Sequence, residues 1–297
     1  MYSYFAYGLG IHSDLPLPEL ISSKVENDVV IHVGSLDSIP PEALGNQPFL
    51  KVHQKEAILS LGYVGTFIVR SGREITIIPF PDADIRLIQR YLVGIIMGIV
   101  LYQRGLLVLH ASAINILGSA VALLGCKGSG KSSLAAALYK RKHDLIVDDI
   151  TAVEMNNGLV KVFPGFPQIK LSVEAADAIG CDPNSLRSLD KFETKQSYRL
   201  EKGFVKVPMP LSRIYLLSAE TDFQFTRLTP QAAVIELVRH SYPTRWVLPG
   251  DAAHFQQCIK LANEVPIYRI NRPFPISKLS EWAQLIEEHV LVEDVGS

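Results

Sequence analysis

Residues 125–132 read GCKGSGKS, and glycine, four residues, then Gly-Lys-Ser is a spacing with a definite physical use. Gly125, Gly128 and Gly130 let the backbone bend so that successive N–H groups face one anion. A helix beginning at Lys131 adds its positive end. The Lys131 ammonium would neutralise β- and γ-phosphate oxygens, and the Ser132 hydroxyl would ligate Mg²⁺. Lys127, Ser129 and Ser133 complete the candidate nucleotide site, with Cys126 as filler.

Two further features carry chemistry. LIVDDI, residues 145–150, is an apolar strand ending in two carboxylates, where a Mg²⁺-positioning aspartate belongs. A pair on adjacent residues suggests two tasks, one for the metal and one for a proton; the blander alternative leaves Asp149 as a turn or cap residue. His110, in LLVLHASAI, is flanked by apolar residues, and taken alone it reads as a satisfied core histidine.

The loop needs a strand before it and a helix after it, and the flanking sequence predicts both. ILGSAVALLG forms a hairpin arm with a Gly118-Ser119 turn, and KSSLAAALYKRK forms the helix. DLIVDD is a strand, and TAVEM and LVKVF form a hairpin around Asn157-Gly158. Further on, RIYLLS (213–218), FQFTRL (223–228) and VPIYRI are strands. Helices are expected from Thr229-Pro230, near 251–263 and from 277 to 290. Residues 180–206 are polar and read as an irregular, mobile loop.

Before this core, residues 1–82 read as a small β-rich domain, with strands at 29–33, 66–70 and 74–78. Apolar residues at three- and four-residue steps from Ile85 to Val100 predict a connecting helix over 83–104, closed by Gly105. The nucleotide-binding domain is then 105–297.

The chain of 297 residues is about two domains long at about 150 residues each. Its net charge of −1 offers no electrostatic grip on nucleic acid or an anionic membrane. Three cysteines without metal spacing suit a reducing, cytoplasmic compartment. The most apolar run, Leu92–Leu101, is too short for a span of about 20 residues and reads as a buried helix.

The segment HASAINILGSAVALLGCKGSGKSSLAAALYKRKHDLIVDD resembles the catalytic core of the HPr kinase/phosphorylase family. His110 precedes Lys131 by 21 positions and Asp148 follows it by 17, as in that family. The match is close over 110–149 and looser over the rest of 105–290. The opening YSYFAYGLGIHSDLPLPEL resembles a stand-alone branch of these kinases, some of which accompany lasso-peptide biosynthesis.

The resemblance implies an α/β fold, a P-loop core of the HPr kinase/phosphoenolpyruvate carboxykinase type with a mixed sheet. It implies ATP and Mg²⁺ as cofactors and a serine hydroxyl of a peptide or small protein as acceptor, in the lasso-associated members the C-terminal serine of the precursor. Homo-oligomers fit the same likeness. By it Asp148 is the general base, Asp149 and Ser132 hold the metal, and His110 lies near the transferring phosphate or the Asp148 carboxylate.

Departures from the family are also visible. The family's glutamate and arginine before a Gly-x-Gly turn correspond to Val162, Phe163 and Pro164 in VKVFPGFPQIKL. Reverse phosphorylase activity and HPr itself as substrate are therefore not expected. Lys195, with Arg199 behind it, is the cation candidate for closing over the phosphates; Arg213 and Arg245 are others, and solvated charge is the default for all four. His240 reads as a helix-end histidine. The residues alone leave open an ATPase or nucleotide switch without an acceptor, a binding module, and a small-molecule kinase.

Overall fold

The computed structural model describes residues 1–35, 37, 39–43, 48–188, 194–218, 224–245, 251–271 and 275–295. The chain is a mixed α/β protein that divides into two units. One is Met1–Val108 with Tyr242–Asp251; the other is Leu109–Ser241 with Ala252–Ser297.

The first unit contains one eight-stranded sheet. Its strands are β1 (Tyr2–Ala6), β2 (Leu9–Ser13), β3 (Ile21–Ser22), β4 (Val29–Val33), β5 (Phe49–Val52), β6 (Glu56–Leu61), β7 (Gly65–Arg70) and β8 (Glu74–Pro79). They lie in the order β3-β1-β2-β4-β8-β7-β6-β5. The expected runs at 29–33, 66–70 and 74–78 are β4, β7 and β8. Two-residue turns at Tyr7-Gly8 and Ser71-Gly72 have positive φ at both positions, which matches the right-handed twist of paired strands.

The expected helix also lies in this unit, as α1 (Ile85–Tyr91) and α2 (Met97–Gln103) joined by a π-turn over Leu92–Ile96. The Asp84 side chain accepts the Arg86 N–H at its start. By length and composition the stretch Ile85–Gln103 could cross a membrane, but 67% of its apolar window is buried inside the fold, as in a core helix.

The chain passes into the second unit at β9 (Leu107–Leu109). There follow β10 (Ala111–Ile116), β11 (Ser119–Leu124), α3 (Lys131–Lys140), β12 (Asp144–Val147), β13 (Thr151–Asn156), β14 (Leu159–Val162) and β15 (Gln168–Leu171). Next come α4 (Val173–Ala178), β16 (Leu186–Ser188), β17 (Gln196–Arg199), β18 (Met209–Ser218), β19 (Phe225–Arg227) and α5 (Pro230–Arg239). The short α6 (Tyr242–Arg245) returns to the first unit, and α7 (Ala252–Glu264), β20 (Ile267–Asn271) and α8 (Leu279–Val295) complete the second.

The central sheet of this unit runs β12-β10-β11-β18-β14-β13, with β20 also on β18 and β19 on β20. Strands β10 and β11 are antiparallel, whereas β11 and β18 are parallel, so the sheet is mixed. The β10–β11 turn sits at Leu117-Gly118, one residue earlier than expected. The Asn157-Gly158 hairpin is as the dipeptide suggests, with positive φ at both residues. Thr229 caps α5 by accepting the Ala232 N–H, and Pro230 takes the first turn.

The polar stretch 180–206 is not irregular throughout. Outside the undescribed residues 189–193 it contributes β16 and β17, which join β15 in a three-stranded sheet. Tyr198 sits opposite both Ile169 and Leu186, so one inward row crosses three strands. Each strand supplies a single apolar residue to that row, which leaves little alternation to read along the chain.

One face of β10, β11 and β18 presents Ile114, Ile116, Val121, Leu123, Tyr215 and Leu217 to α3 and α8. The small residues Ala135, Ala136 and Ala137 belong to the same cluster, and Trp282, Ala283 and Ile286 of α8 close it. A charged clamp fixes the far end of α3. Both Arg141 and His143 donate to Glu287 of α8, His143 Nε2 at 2.6 Å from Oε1. Burial pushes the Glu287 carboxyl up, but Arg141 and His143 outweigh it and hold it below its usual value.

A lowered folded pKa contributes stability that is present above the ordinary glutamate range and lost as pH falls through the folded value. Glu287→Gln should therefore lower the thermal midpoint at pH 7, by about 1–3 kcal/mol of stability. Melting curves from pH 7 to pH 3 should show the gap to wild type closing below about pH 4.3. A gap that stays constant to pH 3 would contradict this role.

Candidate functional site

The phosphate-loop pattern lies between β11 and α3, as a strand–loop–helix arrangement requires. Three glycines set its shape, with φ of +148° at Gly125, +85° at Gly128 and +94° at Gly130, where side chains would be strained. A Cβ on Gly125 would stand 2.7 Å from Ser129 Oγ and 3.0 Å from the Leu217 carbonyl oxygen. At Gly128 the same space is open. The loop is thus tight at its base and clear at its mouth. Lys127 and Gly128 are exposed, and Ser129, Ser132 and Ser133 are half-buried around the start of α3.

Lys131 is 6% exposed. Its ammonium turns back into the loop and donates to the Gly125 and Cys126 carbonyl oxygens at 2.8 and 2.9 Å. The lysine charge is thus held against the first two carbonyls of the loop.

The two aspartates follow β12 and part company at once. The Ile150 N–H donates to the Asp148 carbonyl 3.1 Å away, and Asp149 between them has a φ of +77°. That is a γ-turn of the rarer, positive-φ kind, which is strained for a residue with a side chain. Asp148 stays inside, 6% exposed, and accepts the Ser112 hydroxyl at 2.6 Å and the Lys170 backbone N–H at 3.0 Å. It ties β10 and β15 to the end of β12.

Asp149 is the more exposed carboxylate, its side chain 28% accessible. His110 Nδ1 lies 3.0 Å from Oδ1, and Lys170 Nζ donates to Oδ2 at 2.9 Å. Burial pushes the Asp149 carboxyl up, but Lys170 and His110 more than reverse this and hold it well below the usual carboxylate range. It is a committed anion.

His110 is positioned by its own backbone, whose N–H donates to the His240 carbonyl oxygen at 2.8 Å. His240 is itself buried at the C-terminal end of α5. Burial pushes its imidazole down against the pull of Glu236, and Lys131, Arg239 and His110 push the same way. His240 is the helix end the sequence predicts, and its carbonyl also holds the His110 backbone.

The structure brings His110, Asp148 and Asp149 together and sets the loop residues around α3. Lys195 stands one residue before β17, beyond the Leu171–Gln196 pair of the small sheet. Arg199 ends that strand opposite Gln168. Arg213 is buried in β18 opposite Val121, back along the strand from the Leu124–Leu216 pair that adjoins the loop. Arg245 belongs to the first unit, and the side chain of Arg245 and all of Trp246 lie outside the described residues.

Two site residues were not legible in the sequence: Ser112 and Lys170. Val162, Phe163 and Pro164 bring no acid to the site from the segment 160–171. What β15 brings from there is a lysine. No local pattern marks it, because its partners lie 21 and 22 residues earlier in the chain.

The donor chemistry fits a magnesium nucleotide. The loop offers a cation and turned backbone groups, and Asp149 with Ser132 offers hard oxygens. Among the described residues no group of three or more His, Cys, Asp or Glu gathers as a metal cage. A Mg²⁺ carried on phosphates needs only one or two protein carboxylates. The three cysteines are free, and burial pushes the Cys258 thiol up to about 12.

No family model matches the chain, and no curated protein matches it. Among solved structures, the Hpr(Ser) kinase/phosphatase from Coxiella burnetii matches at 15% identity with a TM-score of 0.34, over 64% of this chain and 97% of that one. A likeness of that size carries no functional weight, so what the site does has to follow from its own geometry.

Proposed function

We propose that this protein is an ATP-dependent kinase that transfers the γ-phosphoryl group to a serine hydroxyl of a peptide. The observation that carries the reading is the pairing of a glycine-shaped loop, with Lys131 folded into it, and a carboxylate pair held by His110, Ser112 and Lys170. The peptide acceptor, in particular a C-terminal serine of a lasso-type precursor, is supported by the sequence resemblance alone.

In this mechanism Lys131 leaves the loop carbonyls and binds phosphate oxygens with the loop N–H groups. Asp149 and Ser132 would hold Mg²⁺, which would supply charge neutralisation on the phosphates. The serine oxygen forms a bond to the γ-phosphorus as the bond to the β-bridging oxygen breaks, ADP leaving with the electron pair. Asp148 accepts the hydroxyl proton. For this the incoming hydroxyl takes the place of the Ser112 hydroxyl on Oδ1.

The burial of Asp148 favours a second assignment of the base. His110 Nδ1 faces Asp149 Oδ1 at 3.0 Å, and with a proton on Nδ1 alone the ring offers Nε2 as an acceptor. The two assignments separate by mutation. Asp148→Asn keeps the fold, because the amide can accept from the Lys170 N–H and donate to Ser112.

The test follows γ-labelled phosphate from Mg-ATP onto peptides ending in serine, beside a no-peptide control. Label should appear on the serine. Asp148→Asn should cut transfer by about 10²–10⁴-fold and His110→Ala by less than about tenfold. The reverse ranking would give the proton to His110. Label released only as free phosphate, whatever the peptide, would replace the kinase with an ATPase or switch; label on a small hydroxyl compound instead would make it a small-molecule kinase.

A further inference from the structure

Like Ser112, Lys170 is a partner of the site that no local sequence pattern marks, and its two bonds do different things. Its backbone N–H serves Asp148, a contact that any residue but proline at position 170 can make. Its ammonium serves Asp149, and the pair is half-buried, with side chains 19% and 28% exposed. The oxygen it occupies, Oδ2, belongs to the carboxylate most accessible to an arriving cation. Oδ1 of the same group is already taken by His110.

Lys131 shows the same arrangement on the phosphate side, its ammonium bonded to two loop carbonyls. Each lysine is bonded to protein oxygens that a bound magnesium nucleotide would compete for or displace. A cation reaching Asp149 has to separate Lys170 from it. The released ammonium would then lie in a half-buried pocket without its counter-ion, which is costly unless another anion is at hand. A nucleotide's phosphates are such an anion.

We propose that Lys170 is a positioning residue that makes divalent-cation binding at Asp149 conditional on nucleotide. It holds Asp149 in the absence of nucleotide and yields it when phosphate arrives to take up the lysine charge. This deepens the kinase reading and rests on it. It assigns a role to β15, which the three-stranded sheet β15-β17-β16 holds beside the aspartates.

The experiment titrates Mn²⁺ by electron paramagnetic resonance into wild type, Lys170→Met and Lys170→Arg, each with and without ADP. Because coupling is reciprocal, the ratio of Mn²⁺ affinities with and without ADP measures the conditionality directly. Wild type and Lys170→Arg should bind Mn²⁺ weakly alone and much better with ADP. Lys170→Met should bind Mn²⁺ alone about fivefold more tightly or better, and its coupling ratio should fall by the same factor.

Loss of packing alone would not tighten a metal site, so an unfolded or merely damaged variant cannot mimic this result. Lys170→Gln serves as a second neutral variant if the methionine form melts early. An unchanged coupling ratio in both neutral variants would overturn the inference while leaving the kinase reading standing. Wild type whose Mn²⁺ binding is no tighter with ADP than without it would overturn both.

Discussion

Asp149 keeps its charge inside the fold only because Lys170 and His110 face it, while Asp148 beside it is buried and accepts from the Ser112 hydroxyl and the Lys170 N–H; the second unit is arranged around those contacts. Asp148 and Asp149 end β12, and a γ-turn with a φ of +77° at Asp149 sends the two side chains to different partners. Ser112 comes from β10, Lys170 from β15 and His110 from the residue before β10. None of these partners is near the aspartates in sequence. Only the pairing β12-β10-β11 and the small sheet at β15 bring them into reach.

The same sheet positions the glycine-rich loop that ends at Lys131. β11 lies between β10, which carries the aspartates' partners, and β18, which runs parallel to it. The loop leaves β11 at Leu124 and turns through three positive-φ glycines into α3. α3 is held against the sheet by its alanine-rich face and at its far end by Arg141, His143 and Glu287. Loop and carboxylates are thus fixed by one core, and a shift in α3 would be felt at Lys131.

Much of this was legible in the chain because local chemistry marks it. Glycine spacing, an apolar run ending in two aspartates, Asn157-Gly158 and Thr229-Pro230 each specify a backbone shape within a few residues. What was not legible is non-local. Lys170 looks like any strand lysine between Ile169 and Leu171 until β15 is placed beside the γ-turn. The strands β16 and β17 each give one residue to an apolar row that exists only across strands. His240 reads as a helix end, and its carbonyl bond to His110 depends on where α5 returns.

If the loop around Lys131 is a nucleotide-phosphate site, calorimetric titration of Mg-ATP into wild type and Lys131→Ala will show it. One saturable site in wild type, weakened about tenfold or more in the variant at an unchanged melting temperature, is the predicted result. Equal affinity in the two proteins, or no binding in either, would contradict it.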